Sequence, residues 1–310
     1  MKYLWILICL SIFPSIRCQR FQRRDHSLVP PYTGGWTTYG TTMISPSFVR
    51  LTADQKGSTA GISNIYPLHS RDWEVIIDFK VFGSKGTLFG DGFAFWYTDT
   101  PIKPGNALGA EVTFKGLGIF YDTYSNHNSG HGHDYPYVSC MVNNRSIAYD
   151  HDHDGNQTQL AGCHSSFRNK NHKTRTRITY SKNTLTVDMD VNHQNEWKNC
   201  ISLGGVHLPT GYYLGISAAT GDLTDTHDIL SLKTYDLGLP YSQEEILEDR
   251  SMIEPYAELA ATPREHVPDV HKTSIWTIFL YIILAIFIFC FCVVGYVVYS
   301  GNQRRKRRLY

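Results

Sequence analysis

The stretch Gly118-Ile119-Phe120-Tyr121-Asp122-Thr123-Tyr124-Ser125-Asn126 opens on an apolar run and then sets oxygen-bearing groups at every second position. The apolar part reads as a buried strand. Beyond it, Asp122, Tyr124 and Asn126 fall on one side of an extended chain. They offer a carboxylate, a backbone carbonyl and an amide oxygen. A Gly/His-rich loop leads to a second strand, Tyr137 to Asn143, and then to Tyr149-Asp150-His151-Asp152-His153-Asp154-Gly155. Asp154 supplies a further carboxylate. Oxygen donors at the ends of two neighbouring strands suit a hard cation such as Ca²⁺.

Two other readings of the Asp150 to Asp154 run stay open on the residues alone. One is a solvated acidic loop; the other is a zinc site through His151 and His153. The spacing Asp150-x-Asp152-x-Asp154-Gly155 also begins like an EF-hand. That reading fails, because the twelfth position holds Ala161 instead of a bidentate Glu, and no flanking helices are evident.

Working outward, strand-like runs recur with Gly, Asn and Asp between them. Trp73 to Phe82 places Val75, Ile77, Phe79 and Val81 on one face. Gly92 to Tyr97 is apolar throughout, as a strand covered on both faces would be. Further strands are expected over Gly116 to Tyr121, Ser146 to Tyr149, Tyr212 to Ser217 and Ile229 to Asp236. Arg175 to Ser181 and Thr184 to Val191 form a hairpin across Lys182-Asn183. Phe21 to Asp25 is basic, polar and loose, and Leu28 to Thr42 leads from coil into strand. No stretch between 28 and 238 has helical periodicity over 11 residues with caps. The class is therefore all-β: one large antiparallel sandwich over 28–240, about 210 residues.

Residues 1–18 carry Lys2 and the apolar run Tyr3 to Phe13, the pattern of a signal peptide cut near Ser15 to Gln19. Residues 275–299 are almost wholly apolar and uncharged, and a membrane-spanning helix needs about 20 such residues. Arg304 to Arg308 follow at once, which places the 300–310 tail in the cytosol and makes the chain type I. Between lies a stalk, 241–274. A short helix is expected over Glu244 to Ala261, stopped by Pro263 and Pro268, and no sustained heptads appear.

The net charge of +1 averages unlike parts. Removing the five tail charges and Lys2 and Arg17 leaves −6 for the middle of the chain. A mildly acidic body argues against nucleic acid as a partner.

Seven cysteines are present, with Cys9 and Cys18 in or beside the leader and Cys290 and Cys292 in the apolar helix. Cys140, Cys163 and Cys200 remain, in an oxidising compartment. Cys140 lies mid-strand and reads as a small buried thiol. Cys163 and Cys200 are then the disulfide, whose loop closure contributes about 4 kcal/mol on the chain-entropy model.

Asp91 sits in Gly90-Asp91-Gly92, where the flanking glycines allow a sharp bend and close ligand approach; a turn Asp bonding its own backbone has the same pattern. Gly221-Asp222-Leu223 follows a strand and is ordinary turn material by itself. Asn144-Arg145-Ser146 and Asn156-Gln157-Thr158 fit the N-glycosylation acceptor, and both are expected close to the cation site.

Several ordered strings together carry a resemblance. They are Gly90-Asp-Gly-Phe-Ala-Phe-Trp-Tyr-Thr98, Phe120-Tyr-Asp-Thr-Tyr-Ser-Asn126, Val142-Asn-Asn144, Tyr149-Asp-His151 with Asp154-Gly155, Gly211-Tyr-Tyr-Leu-Gly215 and Thr220-Gly-Asp-Leu223. They resemble the animal leguminous-type (L-type) lectins, in particular the vesicular integral-membrane branch of the early secretory pathway. The similarity spans about Tyr32 to Leu237, and the single span with a short basic tail matches too.

The resemblance implies a concanavalin-like β-sandwich that binds high-mannose N-glycans with Ca²⁺ in support, as a cargo receptor for glycoproteins between endoplasmic reticulum and Golgi. Carried over, Asp122, the Tyr124 carbonyl, Asn126 and Asp154 would hold Ca²⁺. Asp91, Asn126 and His151 would bind mannose hydroxyls, with Gly221, Asp222, Leu223 and Ser58. Cys163–Cys200 matches the family disulfide. The His-rich loop Asn126 to Tyr135 departs from the family in length and composition. Arg307-Arg308-Leu309-Tyr310 resembles the sorting tails of these lectins, which engage coat machinery, but without the two-lysine form.

Two other function classes are weighed. Related sandwiches include glycoside hydrolases, which need two carboxyls about 5 to 10 Å apart across the scissile bond. The Glu-x-Asp-x-x-Glu strand that would supply them is absent from the sandwich, and the chain is read as no enzyme. The other is a cell-surface adhesion ectodomain, which metal-dependent glycan binding would separate from a lectin.

Overall fold

The computed structural model describes residues 19–84, 86, 89–126, 135–258 and 275–306. It falls into two compact units, 1–262 and 263–310.

The first unit is two antiparallel sheets face to face. One sheet runs, in spatial order, Lys198–Leu203, Thr184–Asp190, Thr174–Ser181, Trp73–Phe82, Thr226–Gly238, Val49–Thr52 and Met43–Ile44. The other runs Ala161–His164, Tyr137–Asn144, Lys115–Asp122, Gly92–Thr98, Tyr213–Ala219, Thr59–Asn64 and Trp36–Gly40. Strands far apart in sequence are neighbours, so loops distant in the chain meet at the sheet ends.

Alternation explains the packing. Val75, Ile77, Phe79 and Val81 all point into the space between the sheets and are buried. Phe93, Phe95 and Tyr97 meet them from the second sheet. Residues between them, Ala94 and Trp96, face outward into a smaller apolar cluster with Leu108, Phe114, Phe120 and Tyr149. The Gly92–Thr98 strand is thus covered on both sides, which is why it does not alternate. Each fully buried aromatic contributes on the order of 2 to 3 kcal/mol. The hairpin at Lys182-Asn183 forms as expected, with φ of 46° and 60° at the two turn residues, the left-handed pair that matches strand twist.

Cys163 and Cys200 form the disulfide, with Cα atoms 5.3 Å apart. It ties the edge strand of one sheet to the edge strand of the other. Cys140 is a buried free thiol.

Four readings need correction. Phe21 to Asp25 is not loose: Gln19–Leu28 is a strand paired with the second half of Thr226–Gly238, so the sandwich starts nine residues before position 28. Its arginines are held, Arg20 over the Tyr235 ring at 3.5 Å and Arg23 on Asp25. Ser146 to Tyr149 is not a strand. Asn143 Nδ2 donates to the Ile147 carbonyl and the Ser146 amide donates to Asn144 Oδ1, and such side-chain bonds compete with a ladder.

The helix expected over Glu244 to Ala261 is only Gln243–Leu247, started by a Ser242/Glu245 capping box. Beyond it the backbone is drawn into the sandwich. Arg250 is buried and donates to the Tyr180 hydroxyl at 2.9 Å, and Tyr256–Ala257 pairs with Val206–His207. The described part of the segment read as stalk, up to Glu258, is therefore docked on the sandwich.

The described residues of the second unit form one helix, Ile275–Lys306, longer than the expected 275–299. Phe279–Tyr296 within it is long and apolar enough to cross a membrane. The leader, the His-rich loop over 127–134, the rest of the stalk and Arg307 to Tyr310 lie outside the described residues.

Candidate functional site

Register builds the site. Gly92 is opposite Asp122 on one side and Ala219 on the other, and Asp122 is opposite Tyr137. The turns around Asp91, Asp122 to Asn126, Tyr135 and Thr220 to Leu223 therefore sit together at one end of the second sheet.

Asp91 follows a cis Gly90–Asp91 peptide. Its amide donates to the Ala219 carbonyl at 3.2 Å, and its carbonyl accepts from the Thr123 amide at 2.9 Å. The Gly221 amide donates to its carboxylate, and burial raises its pKa while His151 lowers it. A Cβ added at Gly221 would stand 3.3 Å from Asp91 Oδ2, so only a residue without a side chain lets this amide approach freely. On the facing turn, the Ser58 amide donates to Thr220 Oγ1 and the Gly57 amide to the Gly221 carbonyl. The Ser58 hydroxyl is turned toward the Gln55 carbonyl. Asp222 is exposed beside Lys56, and Leu223 is half-buried near Gly90.

Asp122 and Asp154 are both buried. The Tyr124 amide donates to Asp122 Oδ1 at 2.9 Å, whereas Asp122 Oδ2 is buried with no hydrogen-bond partner. Burial first, then the Asp154 and Asp91 charges, hold the Asp122 carboxyl well above its usual range. Asp154, at φ 50°, accepts from the Asn126 amide at 3.1 Å and from the Tyr135 hydroxyl at 2.8 Å. Asn126 Nδ2 donates to the His151 carbonyl at 2.8 Å, which leaves its Oδ1 as the acceptor end. An orphaned buried carboxylate oxygen beside a second carboxylate is expensive unless a cation is shared between them. The donor set is all oxygen, and it fits a hard cation.

The zinc alternative finds no ligand set among the described residues. Among the described residues no group of three His, Cys, Asp or Glu gathers at metal distance. His153 Nδ1 is 2.6 Å from Asp150 Oδ2, and His151 Nδ1 is buried and unpartnered. The His151 ring stacks near Tyr149, itself stacked 4.1 Å from Phe120, so the outer apolar cluster carries the His151 turn.

Asp91, Asn126, His151, Gly221, Leu223, Asp122, Tyr124 and Asp154 are thus gathered, with Asp222 exposed on the Gly221 turn and Ser58 on the turn that faces it. The two sequons are not both beside them. Asn156 is in the site turn, but Asn144 pairs with Lys115 at the opposite end of the strand that closes on Asp122, about 23 Å away at 3.3 Å per residue. Sequence reasoning missed Tyr135 and Thr123. Neither belongs to a periodic pattern, and Tyr135 is marked only by its place beside the loop.

A sequence profile described as "Legume-like lectin family" matches residues 19–244. The chain is 42% identical over 303 residues to the vesicular integral-membrane protein VIP36 of Homo sapiens, covering 93% of this chain and 85% of the relative. It is 37% identical over 323 residues to the VIP36-like protein of Mus musculus, covering 99% and 92%. A crystal structure of the VIP36 exoplasmic/lumenal domain in its Ca²⁺/Man3GlcNAc-bound form superposes with a TM-score of 0.74 at 46% identity, over 76% of this chain and 98% of that one.

Proposed function

The chain belongs to the legume-like lectin family, and from that premise we propose that it is a Ca²⁺-dependent, mannose-binding cargo receptor of the early secretory pathway. The observation that carries the reading is the buried pair Asp122 and Asp154, with one orphaned oxygen, set against Asp91 and the Gly221 amide. The VIP36 domain, described as holding Ca²⁺ and a mannose oligosaccharide, supports it. The family is one of sugar-binding proteins, and the chain is not an enzyme.

Asp122, the Tyr124 carbonyl, Asn126 and Asp154 hold the cation. When bound, it neutralises the two carboxylates and orders the 122–126 turn, which lowers the ordering cost of ligand binding. Mannose hydroxyls both donate and accept. Asp91 accepts from them, the Asn126 side chain and His151 pair with them, and Gly221, Asp222, Leu223 and Ser58 close the rim. Ligands are high-mannose N-glycans on glycoproteins.

The apolar helix anchors the chain as a type I protein, with the sandwich lumenal, in membranes of the endoplasmic reticulum, the intermediate compartment and the Golgi. The tail Arg307, Arg308, Leu309 and Tyr310 engages coat machinery. Asn144 and Asn156 are glycosylation acceptors.

The test is binding of the full chain in detergent to a high-mannose glycan array, with Ca²⁺ and with chelator. Chelator-sensitive binding to mannose arms is expected. A folded, Ca²⁺-loaded protein that captures no glycan overturns the lectin reading in favour of adhesion. A reporter carrying the tail should reach the cell surface slowly; full-speed arrival removes the sorting role.

A further inference from the structure

The residues on either side of the 127–134 segment bind one carboxylate. The Asn126 amide donates to Asp154 Oδ1 at 3.1 Å, and the Tyr135 hydroxyl donates to Asp154 Oδ2 at 2.8 Å. Tyr135 lies two residues before the strand Tyr137–Asn144, whose first residue is opposite Asp122. Its hydroxyl is thus anchored from the same strand end that supports the other carboxylate.

We propose that Tyr135 is a positioning residue for the cation, its hydroxyl fixing the plane of the Asp154 carboxylate beside Asp122. This rests on the Ca²⁺ reading above. An ionised carboxylate has about four lone-pair sites. The Asn126 amide holds Oδ1 and the Tyr135 hydroxyl holds Oδ2, so the carboxylate is fixed at both oxygens. A carboxylate held this way loses no rotamer freedom when the ion arrives, and outer hydrogen bonds of this kind typically change metal affinity by about 10- to 100-fold. The ring lies 6.2 Å from Tyr137 between centroids. Tyr135→Phe keeps that contact and removes the hydroxyl, with its bonds to Asp154 and Ser125.

The experiment compares full-length wild type and Tyr135→Phe in detergent by Ca²⁺ titration calorimetry, without sugar, and by melting in chelator. Expected is a Ca²⁺ affinity lowered about 10- to 100-fold with an unchanged chelator melting temperature. An affinity equal to wild type overturns the proposal. So does a lower chelator melting temperature at unchanged affinity, because it assigns the hydroxyl to stability instead. Wild type that takes up no Ca²⁺ overturns the cation reading itself, which separates the two failures.

Discussion

Nδ2 of Asn126 donates to the backbone carbonyl of His151 across 2.8 Å. This one bond joins the turn that leaves the Lys115–Asp122 strand to the turn that carries Asp154. It also orients the amide, so that Oδ1 is the end free to meet a cation. Asn126→Ala removes this bond and the amide oxygen, while the backbone amide keeps its bond to Asp154. Ca²⁺ affinity should fall at least about 10-fold, and glycan binding with it, as read by titration calorimetry. Unchanged Ca²⁺ uptake would show that the amide oxygen is not a ligand.

Acidification should weaken the site. Without metal, the Asp122 pKa is raised, first by burial and then by Asp154 and Asp91. For a raised carboxyl, the stability contribution is full below the unfolded value of 3.8 and is lost as pH rises through the folded value. Ca²⁺ needs the charged form and acts oppositely. At about 100 times its Kd the ion adds about 2.7 kcal/mol, or roughly 5 to 10 °C in melting temperature. That increment should shrink as pH falls from about 7 toward about 5, where protons compete for the carboxylates. An increment constant across this range counts against the assignment of Asp122.

Gly92 connects Asp91 to its strand at φ 148°, and a Cβ there would lie 2.4 Å from the Tyr121 carbonyl oxygen. Gly92→Ala should destabilise by about 2 kcal/mol or more, lowering the melting temperature by roughly 4 to 8 °C. Melting at the wild-type temperature would mean that the two strands separate at no cost.

Beneath the Gly221 to Leu223 turn, Arg168 and Asp225 form a buried pair, with side chains 6% and 0% exposed. The guanidinium also lies 3.8 Å above the Phe89 ring. Arg168→Leu strands the Asp225 charge and should cost about 3 to 5 kcal/mol, while adding Asp225→Leu should recover part of it. Thermal melts of the single and double variants read this directly. A double variant no more stable than the single would assign the loss to packing.

Much of the fold is legible in residue types and spacing. The alternation of Trp73 to Phe82, the apolar Gly92 to Tyr97 run and the Lys182-Asn183 turn each encode their element locally, because strand periodicity and left-handed turn preference need no distant partner. The apolar helix is legible for the same reason. Asp122, Asn126 and Asp154 are recognisable as oxygen donors from the chain alone.

What the chain could not announce depends on partners far away in sequence. Gln19–Leu28 looks loose until Thr226–Gly238 supplies its ladder and Tyr235 its stacking surface. The helix after Ser242 stops early because Arg250 finds Tyr180 and Tyr256 finds His207. Asn144 and Asn156, twelve residues apart, part company because the Tyr137–Asn144 strand carries one of them to the far end of the sheet. Tyr135 gains its role from Asp154, 19 residues on. Local preference sets which residues extend or turn, but register between strands sets which loop ends meet, and register is fixed by packing across the whole sandwich.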